Sequence, residues 1–110
     1  MKFTVQDHIV VVTDLPAEDS ELTQEFLDHK SEWENSHIVL EIGDCGFSTE
    51  DIYRAIAPIL AEQKKAKKSF VLVDEPERLK QYPEDLSAAP TQDEAFDLIE
   101  MEEIERDLGF

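Results

Sequence analysis

Cysteine is almost missing from this chain. Cys45 stands alone, so no disulfide can close within the chain, and a reducing cytoplasm is the expected compartment. Glycine is scarce as well: of the three, Gly43 and Gly46 fit neither Walker nor Rossmann spacing, which excludes a phosphate-cradling loop of either type. No apolar run approaches the roughly 20 residues needed to span a bilayer. The N-terminus carries Lys2 but no apolar stretch of the signal-peptide kind. Positive charge is short too, with ten Lys and Arg against 27 Asp and Glu and a formal net charge of −17. Such a surface repels phosphates, so nucleic acid and anionic membrane are not expected partners. A basic protein partner is the natural complement, and solubility is the plainer use of the same charge. With no repeat, low-complexity tract or linker, 110 residues read as one domain with one real core.

What the chain does contain is organised around residues 37–73. Ile38-Val39-Leu40-Glu41-Ile42 is too continuously apolar for a half-wet strand and suits one covered on both faces. Gly43-Asp44-Cys45-Gly46 is turn chemistry. Ser48 offers a helix N-cap, the helix is expected to reach about Lys65, and Phe70-Val71-Leu72-Val73 is a second covered strand. Strand, crossover helix and strand of this size imply a right-handed parallel unit. Pro58 falls opposite the apolar face formed by Ile52, Ala55, Ile56, Ile59 and Leu60, so its missing N–H leaves the Arg54 carbonyl to solvent.

Ahead of this unit, residues 2–6 alternate like an edge strand, Asp7-His8 forms a two-residue turn, and Ile9 to Val12 make a covered strand. Asp19 or Ser20 should cap a helix carrying Leu22, Phe26 and Trp33 on one stripe, ended by Asn35-Ser36. After Val73 come a short helical piece near Glu77 to Gln81 and a brief edge strand from Leu86 to Ala89. Thr91 and Glu94 form a capping box opening a last helix to about Asp107, with Gly109 beyond it. The expected fold is therefore α/β. It has a mixed, mostly parallel sheet of four to five strands, an N-terminal antiparallel hairpin and three to four helices.

This layout resembles the STAS domain, the fold of the anti-sigma factor antagonists, over nearly the whole chain. In that family the organising strand ends in an acidic–apolar pair, and Asp-Ser-Ser-Gly opens the following helix. A serine there is phosphorylated to switch binding to an anti-sigma kinase. Here Leu40-Glu41-Ile42 stands at the strand end and Phe47-Ser48-Thr49-Glu50-Asp51-Ile52 at the helix start, with Ser48 matching the family's Asp and Thr49 its phosphoserine. The Asp-Ser-Ser-Gly motif is absent, and Glu50 and Asp51 already bring negative charge. The resemblance thus implies a STAS-like, non-catalytic regulatory or scaffolding module. The ending, residues 97–110, also resembles that of short chains sometimes labelled ribonuclease Z. The nuclease needs a His-x-His-x-Asp-His zinc motif, whereas this chain has only His8, His29 and His37, unclustered, so zinc-dependent tRNA processing by this chain alone is excluded.

Ser48 and Thr49 are candidate phosphoacceptors, because a helix N-terminus stabilises a dianion. Capping alone also accounts for Ser48 and is the preferred reading. Cys45 reads as a small turn residue rather than a reactive thiolate. Glu102, Glu103 and Asp107 read as a solvated charge run rather than a cation site, and neither metal nor cofactor is expected. The lysines at 64–68 suit a helix end in solvent, and could also hold an acidic partner or the chain's own acidic tail. In the last helix the apolar stripe changes face. Ala95 and Ile99 share one side, while Met101, Ile104 and Leu108 lie about 180–240° round from Ala95 at 100° per residue. The helix must either bend near Glu100 or offer its second half outward. Met101, Ile104, Leu108 and Phe110 are therefore expected to dock a partner or a second copy of the chain, on a segment, residues 101–110, only weakly tied to the core. The function expected is a non-enzymatic cytoplasmic interaction or regulatory module. A permanent accessory subunit of an enzyme is the alternative, and a small hydrolase or transferase, lacking a recognisable nucleophile–base set, is the more distant one.

Overall fold

The β-branched runs make the centre of a five-stranded sheet. In the computed structural model, which describes residues 1–109, the strands β1 (Lys2–Gln6), β2 (Ile9–Thr13), β3 (His37–Glu41), β4 (Phe70–Val73) and β5 (Ser87–Ala89) lie side by side in chain order. β1 pairs antiparallel with β2 through the Asp7-His8 turn, where Asp7 takes φ 57°, and the other pairings are parallel. The α/β fold with its hairpin stands as expected. Five helices form rather than three or four: α1 (Ser20–Asp28), α2 (Lys30–Trp33), α3 (Thr49–Lys65), α4 (Pro76–Leu79) and α5 (Gln92–Asp107).

The extra helix comes from a break at His29, where the backbone leaves the helical region. The imidazole Nδ1 lies 2.9 Å from the Glu25 carbonyl, and the Trp33 indole donates to the Phe26 carbonyl at 2.7 Å. The Glu25 carbonyl keeps its helical bond from the His29 N–H at 3.2 Å, and the indole serves the Phe26 carbonyl, which a continuous helix would have bonded through Lys30. Trp33 is still buried with Leu22 and Phe26, as the stripe requires. At the other end, Asp19 already has helical dihedrals and its side chain makes no cap bond, so the expected side-chain cap is not formed.

Because side chains alternate along a strand, each central strand feeds two cores. Val10, Val12, Ile38, Leu40, Phe70 and Leu72 point to a large layer closed by Leu22 and Phe26 of α1, Trp33 of α2, and Ile52, Ile56 and Ile59 of α3. Val11, Val39, Val71 and Ala89 point the other way, against Ala95 and Ile99 of α5. Successive right-handed crossovers place the connecting helices on one face, leaving the opposite face to the terminal helix alone. Pro58 is exposed, as its position on the wheel requires, and Thr23 ties α1 to α3 by donating to the Ala55 carbonyl at 2.5 Å. In β1, Phe3 reaches the large core while Val5 stays 65% exposed at the edge.

Candidate interaction surface

α5 opens on the capping geometry that its sequence announces: the Glu94 N–H donates to Thr91 Oγ1 at 3.2 Å. Ala95 and Ile99 are buried, and the helix then continues unbroken to Asp107. Its second half presents two faces of different chemistry. Outward lie Met101, Ile104 and Leu108, 56%, 52% and 64% exposed, and they are the large apolar side chains this helix leaves in solvent. At 100° per residue, Asp97 falls within this stripe and Glu100, Glu105 and Asp107 flank it. All four are exposed. Phe110, the fourth residue expected to take part in docking, lies outside the described residues.

Inward, on the side of Ala95 and Ile99, the helix turns polar. Ser87 Oγ donates to Glu102 Oε2 at 2.5 Å, Arg106 donates to Ser69 Oγ at 2.8 Å, and Glu103 Oε1 lies 2.6 Å from His37 Nε2. These partners sit at or just before the starts of β3, β4 and β5, where the sheet's apolar face ends and main-chain groups begin. The expectation that residues 101–110 are weakly tied to the core is therefore corrected. Three polar contacts hold this half-helix, and its apolar side is free because its polar side is used.

His37 is the buried titratable member of the set. The Ser69 N–H donates to Nδ1 at 2.9 Å, so the ring proton of the neutral form sits on Nε2 and points at Glu103. Burial lowers its pKa from the ordinary histidine value. The Glu103 carboxylate opposes that shift, and Lys68 and Arg106 reinforce it.

At the opposite end of the sheet stands a second polar group, absent from the expectations drawn on sequence. Asp74 is buried and accepts from Tyr82 Oη at 2.6 Å, Arg78 Nε at 2.8 Å and the Glu75 N–H at 2.8 Å. Arg78 also donates to the Phe47 carbonyl at 2.7 Å, linking α4 to the start of α3. Burial, with the Asp74 carboxylate beside it, pushes the Tyr82 phenol well above its usual range. The chain spacing of Asp74, Arg78 and Tyr82, four residues each, was the available signal.

Ser48 is exposed and its Oγ accepts from the Asp51 N–H at 3.0 Å, which is the cap geometry. Thr49 is buried, and its hydroxyl lies 3.3 Å from Gln81 Oε1 rather than in solvent. Cys45 Sγ is half-buried and accepts from the Phe47 N–H at 3.5 Å. Glu102 and Glu103 point to separate partners. Among the described residues no group of three or more His, Cys, Asp or Glu is arranged to hold a metal ion. No described helix is long and apolar enough to cross a membrane. Against protein-family models, curated proteins and solved structures, this chain finds no match.

Proposed function

We propose that this chain is a non-enzymatic, STAS-like interaction module that captures a basic amphipathic helix of a protein partner on the outer face of α5. The observation that carries the reading is the Met101, Ile104 and Leu108 stripe, exposed on a helix whose other side is anchored. The 3-then-4 spacing suits a helix–helix seam. Charge selects the occupant. Asp97, Glu100, Glu105 and Asp107 surround the stripe, and among the described residues none of them is in an ion pair. A second copy would bring a like rim and another −17 against it, whereas Lys and Arg flanking an apolar stripe would match.

Magnitude separates transient capture from permanent assembly. Burying the exposed half of three such side chains contributes about 3–5 kcal/mol. Association costs on the order of 4–15 kcal/mol in lost freedom. The stripe therefore holds a partner only with help from opposite charges. That favours a salt-sensitive, reversible regulatory contact over a fixed enzyme subunit.

The test uses the full chain and a synthetic Lys-rich helix carrying apolar residues at i, i+3 and i+7, with a Glu-rich peptide of the same apolar pattern as control. Amide shifts should appear along the outer face of α5 with the Lys-rich peptide alone, weaken with salt, and vanish in Ile104→Asp. Sedimentation that shows a dimer dissolved by Ile104→Asp would replace the basic partner with a second copy. Equal binding of both peptides would remove the electrostatic reading.

A further inference from the structure

At the opposite end of the sheet from Asp74, the end of α3 and the start of β4 border an open cleft of about 430 Å³. Lys64, Lys67, Lys68 and Arg106, four of the chain's ten cations, line it against two carboxylates, Asp85 and Glu102. Among the described residues none of these four has a carboxylate within ion-pair distance, whereas Lys30, Arg54 and Arg78 each do. Lys2, Lys65 and Lys80 also stand outside any ion pair among the described residues, so what marks these four is that they converge on one cleft. The negative end of α3 accounts for Lys64, in its last turn. It does not account for Lys67 and Lys68, which follow the helix, or for Arg106, which arrives from α5.

Lys67 adds a separate observation. The Lys68 N–H bonds the Gln63 carbonyl at 2.9 Å and the Lys67 N–H the Lys64 carbonyl at 3.1 Å, a helix ending that glycine fills at least cost. Lys67 occupies it with φ 59°, so a charge is kept at the cleft's rim against backbone preference. Arg106 uses one donor on Ser69 Oγ, which fixes its guanidinium at the cleft. Glu102 is already engaged by Ser87. Tyr53 and Leu60, both half-buried, supply an apolar wall.

We infer that this cleft binds a small organic phosphate, with the monoester dianion among Lys67, Lys68 and Arg106 and an apolar body against Tyr53 and Leu60. Glu103 and Asp107 also border Lys67, Lys68 and Arg106, so the selection lies in short-range geometry rather than net charge: a guanidinium fork with two ammonium groups suits the oxygens of a monoester. The volume is in the range of small-molecule sites. The chain's overall negative charge does not prevent this, because charges beyond a Debye length of about 8 Å are screened while the cleft's own act directly.

The inference does not depend on the α5 docking surface, and its test reads different residues. Phenyl phosphate is titrated into the full chain in phosphate-free buffer, followed by amide shifts, with phenol and octaglutamate as companions. Saturable shifts are expected from Lys64 to Phe70 and at Arg106, with phenol at least about tenfold weaker. Lys68→Gln should weaken phenyl phosphate about tenfold. Lys67→Gly should raise the melting temperature of the free protein and still weaken phenyl phosphate, two opposite effects that a merely structural lysine would not produce. Phenol binding as tightly as phenyl phosphate, or unchanged affinity in Lys68→Gln, would overturn the inference. Displacement of phenyl phosphate by octaglutamate at lower concentration would overturn it too, making the cleft a dock for an acidic chain.

Discussion

Replacing Glu103 by alanine and, separately, by glutamine isolates the contact that fastens the second half of α5. His37 is 4% exposed at its side chain and donates from Nε2 to Glu103 Oε1 at 2.6 Å, while Nδ1 is occupied by the Ser69 N–H. Glu103→Ala leaves a buried donor unpaired, which costs about 1–3 kcal/mol. Because Glu103 is itself 42% exposed, water can reach the gap, and the low end of that range applies. Glutamine keeps an acceptor and loses only the charge, so it should cost about 1 kcal/mol or less. At this chain length the alanine variant should melt several degrees lower, at roughly 4 °C per kcal/mol. The glutamine variant carries the sharper test. Burial holds the imidazole below its ordinary pKa, with Glu103 as the opposing influence, so removing that carboxylate lowers it further. A folded state that binds its proton less readily than the unfolded chain is destabilised by acid. The contribution is present above the unfolded value of about 6.5 and is lost as pH falls below it. Glu103→Gln should therefore deepen the acid loss of stability. Urea unfolding on both sides of that pH, with the His37 ring protons titrated by NMR, measures both quantities. A native His37 that titrates above the ordinary histidine value, or an alanine variant as stable as the parent, would refute the reasoning.

Two further outcomes are expected. Ser48→Ala should cost about 1 kcal/mol and Ser48→Asp little, by urea denaturation, since Oγ only caps the Asp51 N–H; phosphate found on Ser48 together with lost peptide capture would assign it a switch instead. Tyr82→Phe removes one of three donors from buried Asp74 and should cost about 1–2 kcal/mol at neutral pH. Because the folded phenol is held above its ordinary value, its contribution is whole below about pH 10 and lost above it. The variant should therefore lack that part of the alkaline loss seen in the parent.

The strands, the crossover helix and both side-chain caps, Ser48 and Thr91, were legible in the residues, because each depends on neighbours a few positions apart. Ile38 to Leu40 and Phe70 to Leu72 are apolar at every position, which only a strand covered on both faces tolerates, and that alone implies helices on two sides. The turn at Asp7-His8 and the exposed place of Pro58 follow from equally local rules. The change of apolar face within α5 was also visible by wheel geometry, and it carried the surface of Met101, Ile104 and Leu108.

The tertiary structure alone decided what fills the other side of that half-helix. Glu102 and Glu103 read, with Asp107, as a solvated charge run, and Arg106 drew no expectation, because nothing in the chain's order says that Ser87, His37 and Ser69 stand opposite Glu102, Glu103 and Arg106, between 15 and 66 residues away. The break at His29 was hidden for a related reason. The Trp33 indole that satisfies the Phe26 carbonyl lies seven residues on, farther than any cap rule reaches. The cation cleft needed a lysine run from one helix and an arginine from another, brought together only when α5 closed over the back of the sheet. Short-range periodicity specifies which face is apolar. Which polar side chains meet depends on strand order and helix direction, and those are settled by how the apolar faces pack.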